Sequence, residues 1–163
     1  DGDTRRSSAH KVIRVPREPG LLDVLSGRAS LADALRTDAE SGLTILPAGS
    51  VTPNVASLLG SLRMDALIAE VAAKFDLVVI DSPPVLVAAD ARLLARKAEA
   101  TLMVVRWAHT RREPVVLALR QLEQAGARLA GSLLTMVDVR RHAQYSYGDS
   151  GAYVGTLGKY YTS

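Results

Sequence analysis

Three short apolar runs constrain the fold of this chain more than anything else in it: residues 77–80, 101–105 and 133–137. Each is too short for a helix and rich in Val, Ile or Leu. Such runs read as strands buried on both faces, the kind found in parallel sheets. Helical patterns separate them. Met64, Leu67, Ile68, Val71, Ala72 and Phe75 recur at the spacing of one helix face. Residues 90–98 read as a second helix. Pro114 suits the first turn of a third, which runs to about residue 124, turns Val115, Val116, Leu119 and Leu122 inward, and ends at Gly126. Strands alternating with helices argue for an α/β domain, doubly wound, with a mostly parallel sheet covered on both faces.

The first sixty residues carry smaller elements. Residues 20–25 and 30–35 read as short helices, the second with Ser30 as N-cap and Asp33 at its N3 position. Residues 43–46 form a short apolar strand that Pro47 stops, and a short helix begins near Val55. From Arg140 onward the periodicity ends. The chain therefore divides into a body, residues 1–139, and a flexible Gly/Ser-rich tail, residues 140–163, which holds all five tyrosines: Tyr145, Tyr147, Tyr153, Tyr160 and Tyr161. A packed core distributes tyrosines among its elements, whereas this chain reserves them for a segment that packs little. With aromatics at 4%, the core must be built from Leu, Val, Ile and Ala.

Composition excludes several classes. Cysteine is absent, so there is no disulfide frame and no thiolate metal site. His10, His109 and His142 lack ligand spacing. A net charge of +3 is a mild bias that arginine-rich helix surfaces account for, and no nucleic-acid partner is expected. No apolar run reaches the length of a membrane span. Trp107 beside Arg106 reads as surface cover or a subunit contact, and Arg111, Arg112, Arg140 and Arg141 as solvated charges or contacts to phosphates or acidic lipid.

In an open parallel sheet, ligands bind beyond the carboxyl ends of the strands, and two strand exits here carry acids. Residues 77–80 lead into Asp81, Ser82, Pro83 and Pro84, the Walker B arrangement of a buried strand that fixes a carboxylate where it can hold magnesium. Taken alone, this pattern is as often an aspartate that starts a turn. The second exit is Asp1-Gly2-Asp3-Thr4-Arg5-Arg6, which reads like the end of a strand whose body lies upstream. In an extended segment Asp1 and Asp3 point the same way. Two carboxylates so aimed repel unless a cation lies between them or one is protonated.

These motifs occur in a telling order. D-x-D-x-R-R is followed by His10, then by Gly20-Leu21-Leu22-Asp23-Val24-Leu25-Ser26-Gly27. Pro47-Ala48-Gly49, Pro53-Asn54 and Leu58-Leu59-x-Ser61 come next, then Asp81-Ser82-Pro83-Pro84, Arg106 with Thr110, and the tyrosine tail. Over nearly its whole length the chain resembles the bacterial tyrosine kinases (BY-kinases), the cytoplasmic kinase domains of exopolysaccharide and capsule chain-length regulators. The resemblance implies a P-loop NTPase-like fold of the deviant Walker type, with residues 1–5 as the Walker A′ segment and Asp81 as the Walker B aspartate. It implies ATP and Mg²⁺ as cofactors, Asp3 and Asp81 on the magnesium, and Asp1 as base for the attacking tyrosine. A base is needed because only about one phenol in a thousand is ionised at pH 7. It places Arg5 near the phosphates, Arg106 at the nucleotide or a subunit contact, and Thr135 where related ATPases contact adenine, many of them with Asn.

The resemblance also implies that the tail tyrosines are phosphoacceptors, docked in trans in a neighbour's site within a ring-like homo-oligomer. Five phosphates would add roughly −8 to −10 charges, enough to drive a switch from ring to monomer. The resemblance further implies an upstream transmembrane polysaccharide co-polymerase segment, a phosphotyrosine phosphatase as partner, and a place on the cytoplasmic face of the bacterial inner membrane. The chain departs from the pattern in two ways. Ser7 stands where the family usually has Pro, which relaxes a turn. No G-x-x-x-x-G-K-[ST] loop occurs in residues 1–163. The sequence therefore reads as an N-terminally truncated domain, inactive alone, whose phosphate-binding loop lies within about thirty residues upstream, one βα unit. Two other readings stay open: a deviant-Walker ATPase of the partitioning or positioning type, and a catalytically dead module that regulates polysaccharide length by contact.

Overall fold

The computed structural model describes residues 1–138. The predicted tail, with its five tyrosines, lies outside the described residues. Seven helices and four strands follow in the order α1 (Ala9–Val12), α2 (Leu21–Leu25), α3 (Leu31–Ala34), β1 (Arg36–Thr37), β2 (Thr44–Ile45), α4 (Val55–Leu59), α5 (Leu62–Ala72), α6 (Ala89–Lys97), β3 (Thr101–Arg106), α7 (Arg112–Gln124) and β4 (Leu129–Thr135). β3 and β4 pair in parallel, from Thr101 opposite Leu129 to Arg106 opposite Thr135, with α7 as the crossover. β1 and β2 form a separate antiparallel pair.

Local signals explain most helix ends. Ser30 caps α3 by accepting the Asp33 N–H, and Ser61 caps α5 by accepting the Met64 N–H. Gly126, at φ +80°, follows the last turn of α7 in the left-handed region that glycine tolerates. The core lies among α2 to α6. Leu21, Leu25, Leu31, Leu59, Met64, Leu67, Val71 and Leu94 form one buried cluster, against which Leu46, Ile68, Phe75 and Ile80 pack in part. Fully burying such a side chain stabilises by about 1.5–3 kcal/mol. Ala72 and Val116, expected inside, are exposed.

One expected strand is absent. Residues 77–80 form no ladder among the described residues, and Leu77 and Val79 are each 79% exposed. The physical reason is non-local. β propensity becomes a strand only where a neighbour supplies backbone partners, and the sole such contact near this run is the Gly2 N–H donated to the Asp81 carbonyl at 2.7 Å. β3 and β4 are likewise less covered than two-faced burial predicts. Val105 is buried, while Leu102, Val104, Leu133 and Leu134 are about half exposed. No described helix is long and apolar enough to cross a membrane.

Candidate functional site

Residues 1–3 bridge two segment ends. The Asp1 backbone nitrogen donates to the Leu46 carbonyl at 2.8 Å, just past β2, and Gly2 donates to Asp81 as above. Glycine is required here by space. A Cβ on Gly2 would lie 2.7 Å from both the Asp81 carbonyl oxygen and Leu94 Cδ1. This close approach sets Asp1 and Asp3 on either side of the residue that meets Asp81.

The carboxylates are differently engaged. Asp1 Oδ2 accepts the Ser7 hydroxyl proton at 2.8 Å, and His10 Nδ1 lies 3.0 Å from the same Ser7 oxygen. The hydroxyl has one proton and gives it to Asp1, so His10 acts as the Nδ1–H donor. Asp1 Oδ1 is buried without a hydrogen-bond partner. Asp3 Oδ1 accepts the backbone N–H groups of Arg5 and Arg6, at 3.2 and 2.9 Å, which closes a turn that swings both arginines outward. Asp81 is exposed. Among the described residues no group of three or more His, Cys, Asp or Glu side chains is arranged to hold a metal ion. Two carboxylates are nevertheless a normal protein share for Mg²⁺, which takes its remaining ligands from water and phosphate.

Arg5 extends to Asp90, with Nε 2.9 Å from Oδ2. Arg106 and Thr135 end β3 and β4 as register partners. The Thr135 hydroxyl donates to the Val105 carbonyl at 3.4 Å, and the Trp107 N–H donates to the Thr135 carbonyl at 3.0 Å. Both Arg106 and Thr135 are exposed. No hydrogen bond or ion pair among the described residues links this pair to the Asp1–Asp3–Asp81 junction. Surface depressions lie between α2 and α5, lined by Val24, Leu25, Arg63 and Leu67, and on α7, lined by Arg112, Val116 and Arg120. Neither contains a candidate residue.

Sequence reasoning undervalued Ser7 and His10 and missed Asp90. Ser7 was expected only to relax a turn, yet it is buried and ties Asp1 to His10. Asp90 reads from sequence as a first-turn helix aspartate, and only the fold reveals its contact with Arg5.

The solved kinase domain of VpsO superposes on the chain with a TM-score of 0.79 and 32% identity, covering 85% of this chain and 68% of that one. The chain belongs to the bacterial tyrosine-protein kinase family. Two curated BY-kinases agree with this. The tyrosine-protein kinase Wzc of Salmonella typhimurium is 34% identical over 148 residues, 91% of this chain. The tyrosine-protein kinase YwqD of Bacillus subtilis is 31% identical over 147 residues, 90% of this chain and 62% of YwqD. The chain spans about a fifth of the length of Wzc, 21%. No protein-family model matches it.

Proposed function

We propose that this BY-kinase chain is part of a protein-tyrosine autokinase that uses ATP and Mg²⁺ to phosphorylate its own tail tyrosines in trans and thereby regulates polysaccharide polymerisation and export. The backbone contact between Gly2 and Asp81 carries the reading, because it sets the segment that bears Asp1 and Asp3 against the segment that bears Asp81. Magnesium supplies charge neutralisation for phosphoryl transfer. Asp3 and the exposed Asp81 are the residues to hold it. Asp1 is the candidate base for the phenolic proton of an incoming Tyr145, Tyr147, Tyr153, Tyr160 or Tyr161, and the Ser7 hydroxyl orients its carboxylate. Arg5 is assigned to phosphate. Arg106 and Thr135 stand together at a strand exit, suited to the nucleotide base or to a subunit contact.

The phosphate cradle is assigned to residues outside 1–163, since no Walker A loop occurs within them. The exposed apolar run at residues 77–80 and the half-exposed β3 and β4 support the same view. They suit a wider, doubly wound, mostly parallel sheet that further strands complete, so residues 1–163 alone are expected to be inactive. A ring-like homo-oligomer, an upstream transmembrane co-polymerase segment, a partner phosphatase and a site on the cytoplasmic face of the inner membrane belong to the same proposal, through the family. The test is incubation of the complete protein with ATP and Mg²⁺, followed by intact mass and peptide mapping. Stepwise phosphate gain on residues 145–161 is expected. ADP release without mass gain refutes the kinase reading and points to a positioning ATPase.

A further inference from the structure

Asp90 is the most deeply buried charged side chain among the described residues, at 1% exposure. Its partner is Arg5, whose side chain is 60% exposed. The contact is one-sided. Arg5 Nε donates to Asp90 Oδ2 at 2.9 Å, while Asp90 Oδ1 is buried without a partner. Burying a carboxylate with half its acceptor capacity unused is costly, and an apolar residue of similar volume would serve stability better. Two features sustain the charge: the arginine, and the first turn of α6, where the helix dipole favours an anion.

The way Arg5 is held is informative. Its backbone N–H is fixed by Asp3 Oδ1 and its Nε by Asp90. Both ends of the residue are therefore tied down, and among the described residues Nη1 and Nη2 make no hydrogen bond. A guanidinium gripped at Nε presents its Nη pair as a fixed fork, the geometry that matches two oxygens of a phosphoryl group. Lysine has no equivalent, because its single head group would be consumed by the aspartate.

We propose that Asp90 is a positioning residue that presents the Arg5 Nη fork to a phosphoryl oxyanion. This rests on the phosphotransfer reading above and deepens it. The same oxyanion occurs on a nucleotide and on a phosphorylated tail tyrosine, so the test has two arms. In the complete protein, affinities for Mg²⁺–ADP and for a phosphotyrosine peptide of sequence 145–153 are measured by calorimetry for wild type, Arg5→Gln, Asp90→Asn and the double variant. Arg5→Gln weakens binding about tenfold or more in the arm that represents the true ligand. Asp90→Asn weakens the same arm comparably, and the double variant binds no more weakly than Arg5→Gln alone. In wild type the Arg5 Nε–Hε resonance is protected from solvent exchange, and Asp90→Asn abolishes that protection. Additive losses in the double variant, or an Asp90→Asn protein that binds both ligands normally, overturn the proposal. If Asp90→Asn fails to fold, Arg5→Lys decides: binding as weak as Arg5→Gln supports the fork, and wild-type binding refutes it. Wild-type autophosphorylation is read in the same samples, so failure of the kinase reading and failure of this inference are separate results.

Discussion

Replacing Asp23 with Asn should unfasten the lobe that carries the acidic junction. Asp23 lies in the first turn of α2 at 4% exposure. Its Oδ2 accepts the N–H groups of Gly20 and Ser50, at 2.9 and 3.0 Å, and its Oδ1 accepts Arg28 at 3.0 Å. Burial alone would raise its pKa. The Ser50 and Gly20 N–H donors, with the Ser50 hydroxyl and Arg28, outweigh that and lower it from 3.8 to about 2. At 1.36 kcal/mol per unit, the ionised carboxylate contributes about 2.5 kcal/mol to folding. The folded-state pKa is depressed, so this contribution is complete above the unfolded value of 3.8 and is lost as pH falls through about 2. By pH 2.5 about two-thirds of it is gone. The assay is urea unfolding of wild type and Asp23→Asn at pH 7 and between pH 4 and 2. The variant should be less stable by about 2 kcal/mol at pH 7, with melting about 4–8 °C lower, and should show a shallower acid loss over that window. Equal stability at pH 7, or an unchanged acid slope, would refute the reasoning.

Three further outcomes follow from the geometry. Gly2→Ala places a methyl 2.7 Å from the Asp81 carbonyl and Leu94; it should cost about 1–3 kcal/mol in urea unfolding and slow autophosphorylation, and a variant with wild-type values in both would remove the close approach from the mechanism. Ser7→Ala strips the donor from Asp1 Oδ2 and the acceptor from His10. It should lower the phosphotransfer rate and cost about 1 kcal/mol, whereas Ser7→Thr keeps the hydroxyl and should restore the rate. Leu59→Ala, at a fully buried site, should cost about 2–5 kcal/mol, while Leu62→Ala, at 85% exposure, should stay within about 0.5 kcal/mol; similar losses at the two sites would contradict the described core.

What the sequence displayed and what it hid divide along the range of the interactions. α5 and α7 were legible because their apolar spacing is local, and the cap at Ser30 is local chemistry too, while the equivalent cap at Ser61 went unread. The pairing of β3 with β4 followed from two apolar runs and a helix between them. Residues 77–80 carried the same local signal but lack a ladder, because a strand is a property of a pair. The family motifs around Gly20 and Gly49 were visible as separate patterns. Their joint meaning was hidden: a Cβ on Gly20 would lie 2.4 Å from the Pro47 carbonyl oxygen and the Gly49 nitrogen, so the two loops close on each other with Asp23 between them. In the site, the acids at positions 1, 3 and 81 were named from pattern. Ser7 and His10 stood in or beside the motif, but their hold on Asp1 depends on side-chain geometry that spacing does not encode, and the pairing of Asp90 with Arg5 joins residues 85 positions apart.

The bridge at residue 1 links two parts of the molecule that differ in kind. Leu46 offers its carbonyl to Asp1, and the next residue, Pro47, offers its carbonyl to the Leu21 N–H at 2.7 Å. Adjacent peptide units thus serve the acidic junction on one side and the Asp23 knot on the other. Since a trans peptide is a rigid plate about 3.8 Å long between Cα atoms, a shift of the 47–50 loop has almost no slack in which to dissipate. The α2 lobe, which contributes none of the three junction carboxylates, acts as the mount for them, and whatever docks on that lobe acquires a short mechanical route to their spacing.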